Sequence, residues 1–157
     1  MNKVILLGAL FLPLISLAQN DKPENPSAQP GDPVDNLISK SSYTGVASDY
    51  YPSGHKMLEA AFVDGRLEGL MVSWHENGQK ETEAYFVFGK RHGPMTMWYA
   101  NGQKKAVGNW VHDKPDGAWT VWYENGQREF VGTYQDGQLL DGAQWWDENG
   151  HVQFRPE

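Results

Sequence analysis

Residues 122–127 read WYENGQ, and three variants of this hexapeptide occur elsewhere: WHENGQ at 74–79, WYANGQ at 98–103 and WDENGH at 146–151. Their glycines are spaced by 24 residues, and Gly54 in YYPSGH extends the series toward the N-terminus. A fixed period of this length is the signature of a repeat architecture and has to be interpreted before any single motif. The hexapeptide therefore marks one position of a repeating unit.

Aligned columns of the repeat have the spacing of β-strands. Leu58, Ala60 and Phe62 follow Gly54 at even offsets, so they share one face of a strand. Two aromatic columns recur, one eight residues and one twenty residues after each glycine. They are Phe62, Phe86, Trp110 and Tyr134, and Trp74, Trp98, Trp122 and Trp146. Helical periodicity does not fit, and two glycines per unit would break most helices.

Turn residues separate the predicted strands. An Asn-Gly pair is the strongest short hairpin signal, because both residues tolerate the positive φ of a tight turn. We predict structural turns at Gly54 and at the pairs Asn77 and Gly78, Asn101 and Gly102, Asn125 and Gly126, and Asn149 and Gly150. GRLEG at 65–69, GKRHG at 89–93 and DKPDG at 113–117 are expected to form the opposite turns. The predicted fold is all-β, an elongated open antiparallel sheet of successive β-hairpin repeats.

Three segments are predicted along the chain. Residues 1–18 have the features of a signal peptide: Lys3 precedes an apolar run, and Ala18 ends it with the small residue that a signal peptidase requires. The run is shorter than the roughly 20 residues of a membrane-spanning helix, so we predict cleavage after Ala18 and export to the periplasm, the outer membrane or the medium. Residues 19–42, rich in Pro, Asn and Asp, are expected to be a flexible linker. Residues 43–157 are the predicted repeat domain.

Composition argues against several classes of function. The chain has a formal net charge of -7, which suits neither nucleic acid nor an anionic membrane surface as a partner. It contains no cysteine, so disulfides and thiolate chemistry are excluded. Phosphate loops, catalytic triads and metal-ligand spacings are not recognisable, and we expect neither an enzyme nor a cofactor or metal. The histidines are scattered one to a unit or turn, at His55, His75, His92, His112 and His151.

The repeat also resembles a known family. WHENGQK, WYANGQK, WYENGQR and GKRHG are similar to the bacterial variant of the MORN repeat, over about residues 45–154. The resemblance implies an open, curved antiparallel sheet of hairpins and supplies no catalytic residues. Members are often labelled antitoxin components of toxin–antitoxin systems, and the broader class is linked to protein scaffolding and phospholipid binding. The sequence departs from the family at Asp113, where a turn glycine is expected, and at an insertion near Leu140.

The aromatic columns are the candidate binding surface, formed by Trp74, Trp98, Trp122, Trp146, Phe86, Trp110 and Tyr134. We expect these side chains mainly to hold the sheet together through cross-strand pairs, with rings lying over the small residues Gly108 and Gly132. The expected function is an exported, non-enzymatic scaffold that binds another protein and resembles an antitoxin or inhibitor. The alternative is binding of carbohydrate, cell-wall or choline-type ligands on the Trp/Tyr ladder. Open sheet edges also predict self-association.

Overall fold

The structure, a computed structural model, describes residues 42–154, which form one antiparallel sheet of 12 strands. The strands are β1 (Gly45–Tyr50), β2 (Lys56–Val63), β3 (Arg66–Trp74), β4 (Lys80–Val87), β5 (Lys90–Trp98), β6 (Lys104–Val111), β7 (Lys114–Pro115), β8 (Gly117–Trp122), β9 (Arg128–Gln135), β10 (Gln138–Leu139), β11 (Gln144–Trp146) and β12 (Val152–Gln153). The predicted signal peptide and all but the last residue of the predicted linker lie outside the described residues.

Strand order follows the chain, from β1 through β6 to β8, β9, β11 and β12, while β7 pairs with β6 and β10 pairs with β9. β7 and β8 together correspond to the single strands β3 and β5 of the earlier units, and they are interrupted at Asp116, whose N–H donates to the Asn109 carbonyl at 2.9 Å. The insertion near Leu140 separates β10 from β11. The prediction of an all-β, open antiparallel sheet of successive hairpins is therefore confirmed. Among the described residues, no helix has the length and apolarity needed to cross a membrane.

The turns opposite the Asn-Gly pairs lie earlier than predicted. They are two-residue turns with positive φ at both positions: Asp64 and Gly65, Phe88 and Gly89, His112 and Asp113, and Asp136 and Gly137. This is the geometry of the type I′ turn, whose twist matches that of the flanking strands. Most of GRLEG, GKRHG and DKPDG consequently belongs to strands. Asp113 fulfils the role of the missing turn glycine, with φ of 66°.

The Asn-Gly turns lie where predicted, but their geometry differs from the prediction. Gly78 has positive φ, and its N–H donates to the His75 carbonyl at 2.8 Å. Asn77 does not share the positive φ; its Oδ1 instead accepts the Gln79 N–H at 3.0 Å. This is a three-residue turn closed by a glycine bulge. Asn101 and Asn125 repeat the side-chain contact, whereas at Asn149 and Gly150 the side chain of Asp147 accepts the equivalent N–H. Asparagine is selected here for its side-chain oxygen rather than for a left-handed backbone.

One face of the sheet, called the inner face, carries the core. Its strands alternate buried and partly exposed residues, as predicted for Leu58, Ala60 and Phe62. The remaining core members are Tyr43, Ala47, Met71, Ala84, Phe86, Met95, Met97, Ala106, Trp110, Trp119, Val121, Phe130 and Tyr134. The described residues supply no second layer, so these side chains cover one another across neighbouring hairpins. Trp110 and Trp119, for example, meet edge to face at 5.4 Å.

Small residues on the inner face make room for these rings. The ring at Gly108 comes from another strand, as predicted, whereas the ring at Gly132 comes from its own strand. A Cβ at Gly108 would overlap the ring of Trp119, which lies on the adjacent strand β8. At Gly132 the space is occupied by Phe130 and Leu139, and the Trp119 backbone pairs directly with it. Glycine is unfavourable inside a strand by about 0.5 to 1 kcal/mol. Ring burial offsets that loss, because a Trp or Phe buries a large apolar area.

Candidate functional site

The two aromatic columns lie on opposite faces of the sheet. Phe86, Trp110 and Tyr134 are buried in the inner face, with at most 9% of their surface exposed. The Trp column, which comprises Trp74, Trp98, Trp122 and Trp146, is half-buried on the other side, called the outer face. The predicted surface combining both columns is therefore wrong in its inner half. Residues an even number of positions apart share a face within one strand, but not across a turn. The pairing register also shifts where each strand of the Trp column pairs with the next strand.

Lysines from the preceding unit lie over the first two rings of the Trp column. Lys56 Nζ is 5.4 Å from the centroid of Trp74, and Lys80 Nζ is 5.8 Å from that of Trp98. Lys80 also forms an ion pair with Glu83 at 2.7 Å. Each contact is partly exposed, so each contributes about 1 kcal/mol or less. Their main effect is steric and electrostatic, since a cation of the protein occupies a position where a ligand cation would bind.

The residue after Trp74, Trp98 and Trp122 connects one unit to the next, a role that was not predicted from the sequence. Tyr99 Oη donates to the Trp122 carbonyl at 2.8 Å. The equivalent contacts run from Tyr51 to Trp74 at 2.8 Å, from His75 Nε2 to Trp98 at 2.9 Å and from Tyr123 to Trp146 at 2.8 Å. The available signal was a ring with a polar tip, Tyr or His, at the 24-residue period.

Asparagine makes a second set of contacts between units on this edge. Asn77 Nδ2 donates to the Ala100 carbonyl at 2.7 Å, and Asn125 Nδ2 to the Glu148 carbonyl at 2.8 Å. Asn101 repeats the contact, and in the first unit His55 Nδ1 contacts the Glu76 carbonyl at 2.7 Å. The glutamine that ends three of the four hexapeptides lies against the turn glycine of the following unit. In WYENGQ the contacts between units therefore use the side chains of Tyr, Asn and Gln, the carbonyls of Trp and Glu, and the turn glycine.

Electrostatics keep the tyrosine contacts intact. Burial, and after it the carboxylates of Glu129 and Glu124, raise the pKa of Tyr99 to about 12. The pKa of Tyr123 is raised for the same reasons, first burial and then Glu129. In the last unit Asp147 replaces the tyrosine; it accepts the N–H of His151, which lowers the pKa of Asp147. The phenols thus stay protonated and donate across the physiological range.

The opposite edge of the sheet, formed by the type I′ turns, carries charged, histidine and aromatic side chains. Arg91 stacks 3.9 Å from the Trp110 centroid while its Nε donates to Asp113 at 2.9 Å. His92 and His112 lie edge to face at 4.9 Å, and His92 Nδ1 is buried without a hydrogen-bond partner. Within residues 42–154, no three His, Asp or Glu side chains converge as metal ligands would. An open groove of about 300 Å³ lies at the β10–β12 end, lined by residues that include Trp145 and Phe154.

Comparisons with known proteins address the family and the fold. A family model described as a MORN repeat variant matches residues 67–87, 91–112 and 115–136, each match spanning an Asn-Gly turn with the strand on either side. No curated protein matches the chain. A solved structure, the "Glycosylation Associate Protein (Gap123) complex from Streptococcus agalactiae", shares 16% identity with a TM-score of 0.35, over 60% of this chain and 18% of that one. Residues 67–136 of this chain therefore carry three consecutive copies of the MORN repeat variant.

Proposed function

We propose that this protein is a non-enzymatic repeat scaffold that binds another protein through the Trp column of its outer face. The observation that carries the proposal is that the parts of the sheet have different roles. The inner face is taken up by the core, and the Asn-Gly edge by contacts between units. The outer face retains half-buried tryptophans at one per hairpin. Tryptophan is enriched at the centres of protein interfaces, where it supplies much of the binding energy.

A protein partner fits this surface better than a sugar or a choline-type ligand. Both of those ligands need the open face of an aromatic ring, and a quaternary ammonium group needs it without a competing cation. At Trp74 and Trp98 that position is occupied by Lys56 and Lys80. A protein can instead form ion pairs with the lysines and with Glu59 and Glu83 beside them while it covers the ring edges.

We also propose that the scaffold acts after export, because residues 1–18 have the features of a signal peptide. A partner would then be an envelope or secreted protein, and inhibition of a secreted effector would be the counterpart of the antitoxin label. Intact mass measured on protein from envelope and culture fractions tests this. Mature protein beginning at Gln19 supports export, whereas a full-length chain confined to the cytosolic fraction contradicts it.

Binding is tested by affinity capture with the whole chain, followed by calorimetry with each purified candidate partner. Trp98→Ala should weaken binding at least tenfold, as expected for an interface anchor. Thr96→Ala, on the same strand and face, is the matched control and should leave affinity unchanged. Equal affinities for both variants would contradict docking at the Trp column. Saturable quenching of tryptophan emission by glycans or choline would favour the alternative ligand class instead.

A further inference from the structure

A cluster of exposed apolar side chains lies on the outer face beside the Trp column. Leu70 and Tyr85 pair directly between β3 and β4, and they are 41% and 39% exposed. Val63 is 46% exposed at the end of β2, and Phe88, in the turn after β4, is 74% exposed. We call Val63, Leu70, Tyr85 and Phe88 the apolar patch. Contiguous exposed apolar surface on a folded domain commonly marks an interaction site.

The repeat itself shows that the fold does not require this patch. Two units later, the position of Tyr85 holds Thr133 and that of Leu70 holds Ala118. Ala118 and Thr133 pair across β8 and β9 as Leu70 and Tyr85 do across β3 and β4. The same backbone is therefore built with small or polar side chains in the C-terminal half. Requirements of the sheet cannot explain why the N-terminal half is apolar at these positions.

Phe88 is the strongest case, because both its backbone conformation and the exposure of its ring are unfavourable. It has φ of 51°, a left-handed conformation that is a rare and strained choice for a bulky residue. Equivalent turns hold Asp64, His112 and Asp136 with φ of 48°, 50° and 51°, and Asp and His adopt this region more readily. The position therefore combines backbone strain with an aromatic ring left in water. Burial of the ring against another molecule would offset both.

We propose that the apolar patch docks a second copy of this chain, forming a twofold symmetric dimer. Charge around the patch argues for this occupant. The nearest turns and strand ends carry Asp64 and Glu68 but also Arg66 and Lys90, so the rim has both signs although the chain as a whole is acidic, at -7. About a twofold axis, the acids of one copy face the bases of the other. A rim matched to a membrane or to a strongly basic partner would carry one sign.

Sheet geometry permits this contact. Faces of two sheets pack about 10 Å apart with interdigitated side chains, which suits the pair of Leu70 and Tyr85 at the centre of the patch. Phe88 would reach over the turn of the partner copy as an anchor at the rim. The Trp column is a separate part of the outer face, so the dimer does not rest on the proposed partner binding.

Sedimentation velocity of the whole chain, from about 1 to 100 µM, tests the proposal. The variant Leu70→Ala/Tyr85→Thr/Phe88→Asp replaces the patch with residues that the chain itself uses at equivalent positions, at Ala118, Thr133 and Asp136. We expect the wild type to dimerise in this range and the triple variant to associate at least tenfold more weakly. Because each replacement is native to the fold elsewhere, the circular dichroism spectrum should be unchanged.

The matched control alters the same positions where they are polar. His112→Asp/Thr133→Ala should dimerise like the wild type, since these residues lie outside the patch. A wild type that remains monomeric at 100 µM overturns the proposal and leaves the patch to a different molecule. A triple variant that dimerises as tightly as the wild type overturns it as well, and assigns self-association to another surface such as the open edges.

Discussion

Trp119 and Trp122 are three residues apart on strand β8, yet they belong to different faces of the sheet. Trp119 is 1% exposed, and its N–H donates to the Asn109 carbonyl at 3.2 Å over the strand that holds Gly108. Trp122 is half-buried on the outer face, and its carbonyl rather than its ring receives the contact from Tyr99. Tryptophan therefore packs in the core on the inner face and is partly exposed to solvent on the outer face.

The two faces differ in what varies between units. On the inner face, the column of Met71, Met95 and Trp119 changes in size, and the small column opposite, Ala60, Ala84 and Gly108, changes in compensation. On the outer face the Trp column is constant while the neighbouring positions change from apolar to polar without a change in register. Covariation in volume is typical of a core, because packed interiors tolerate neither voids nor overlap. Variation in side-chain size without a compensating change in the neighbour is typical of a surface that is not constrained by packing.

The largest expected effect is a difference in stability between variants of the two tryptophans. Trp119→Ala should lower the free energy of unfolding by about 3 to 5 kcal/mol, because it leaves a cavity among buried rings. Trp122→Ala, the matched control on the same strand, should cost about 1 kcal/mol, since its ring is already partly in water. Urea denaturation followed by circular dichroism measures both. Similar losses for the two variants would mean that the outer ring also supports the fold.

A second test concerns the compensation between columns. Gly108→Ala should destabilise the domain by about 1 to 3 kcal/mol, because the added methyl overlaps the Trp119 ring. Combining it with Trp119→Met recreates the arrangement at Ala84 and Met95, which pair directly in the structure. The double variant should then be more stable than the sum of the two single losses predicts, by about 1 kcal/mol or more. Strict additivity in thermal and urea unfolding would argue against packing between the columns.

Much of this division could be predicted from the sequence. Periodicity alone placed every Asn-Gly turn, the antiparallel order of the strands and the ring over Gly108, because these depend on neighbours within one or two units. The face of the Trp column was beyond parity counting, since the two-residue turn after β2 pairs Phe62 with Leu67, so even and odd positions exchange faces between the two strands. The type I′ turn at Phe88 was missed because its first left-handed residue is a Phe, which turn rules do not favour. The side-chain contacts of Tyr51, Tyr99 and Tyr123 join residues 23 apart and become visible only in three dimensions.

Alkaline pH should weaken the contacts between units more than the inner face. The pKa of Tyr99 is raised from 10.0 to about 12, so its contribution to stability is complete below pH 10 and is lost as the pH rises through 12. Tyr99→Phe should lower stability near neutral pH by about 1 kcal/mol and reduce the loss between pH 10 and 12. Tyr85→Phe, exposed on the outer face, is the control and should follow the wild type. A wild-type slope that persists in Tyr99→Phe would assign the alkaline transition to other groups.

The smallest expected effect lies on the outer face, where removal of a charge should hardly affect the fold. Lys80 is half-exposed in its ion pair with Glu83 and in its contact with Trp98, so Lys80→Met should change the free energy of unfolding by less than about 1 kcal/mol. The variant nevertheless removes the cation beside the Trp98 ring. A competing ammonium group disfavours binding of another cation. If Lys80 is what excludes choline from the ring, choline should quench tryptophan emission in Lys80→Met more than in the wild type. Quenching of the wild type to the same extent would show that the lysine does not protect the ring, and would return the Trp column to the choline-type ligand class.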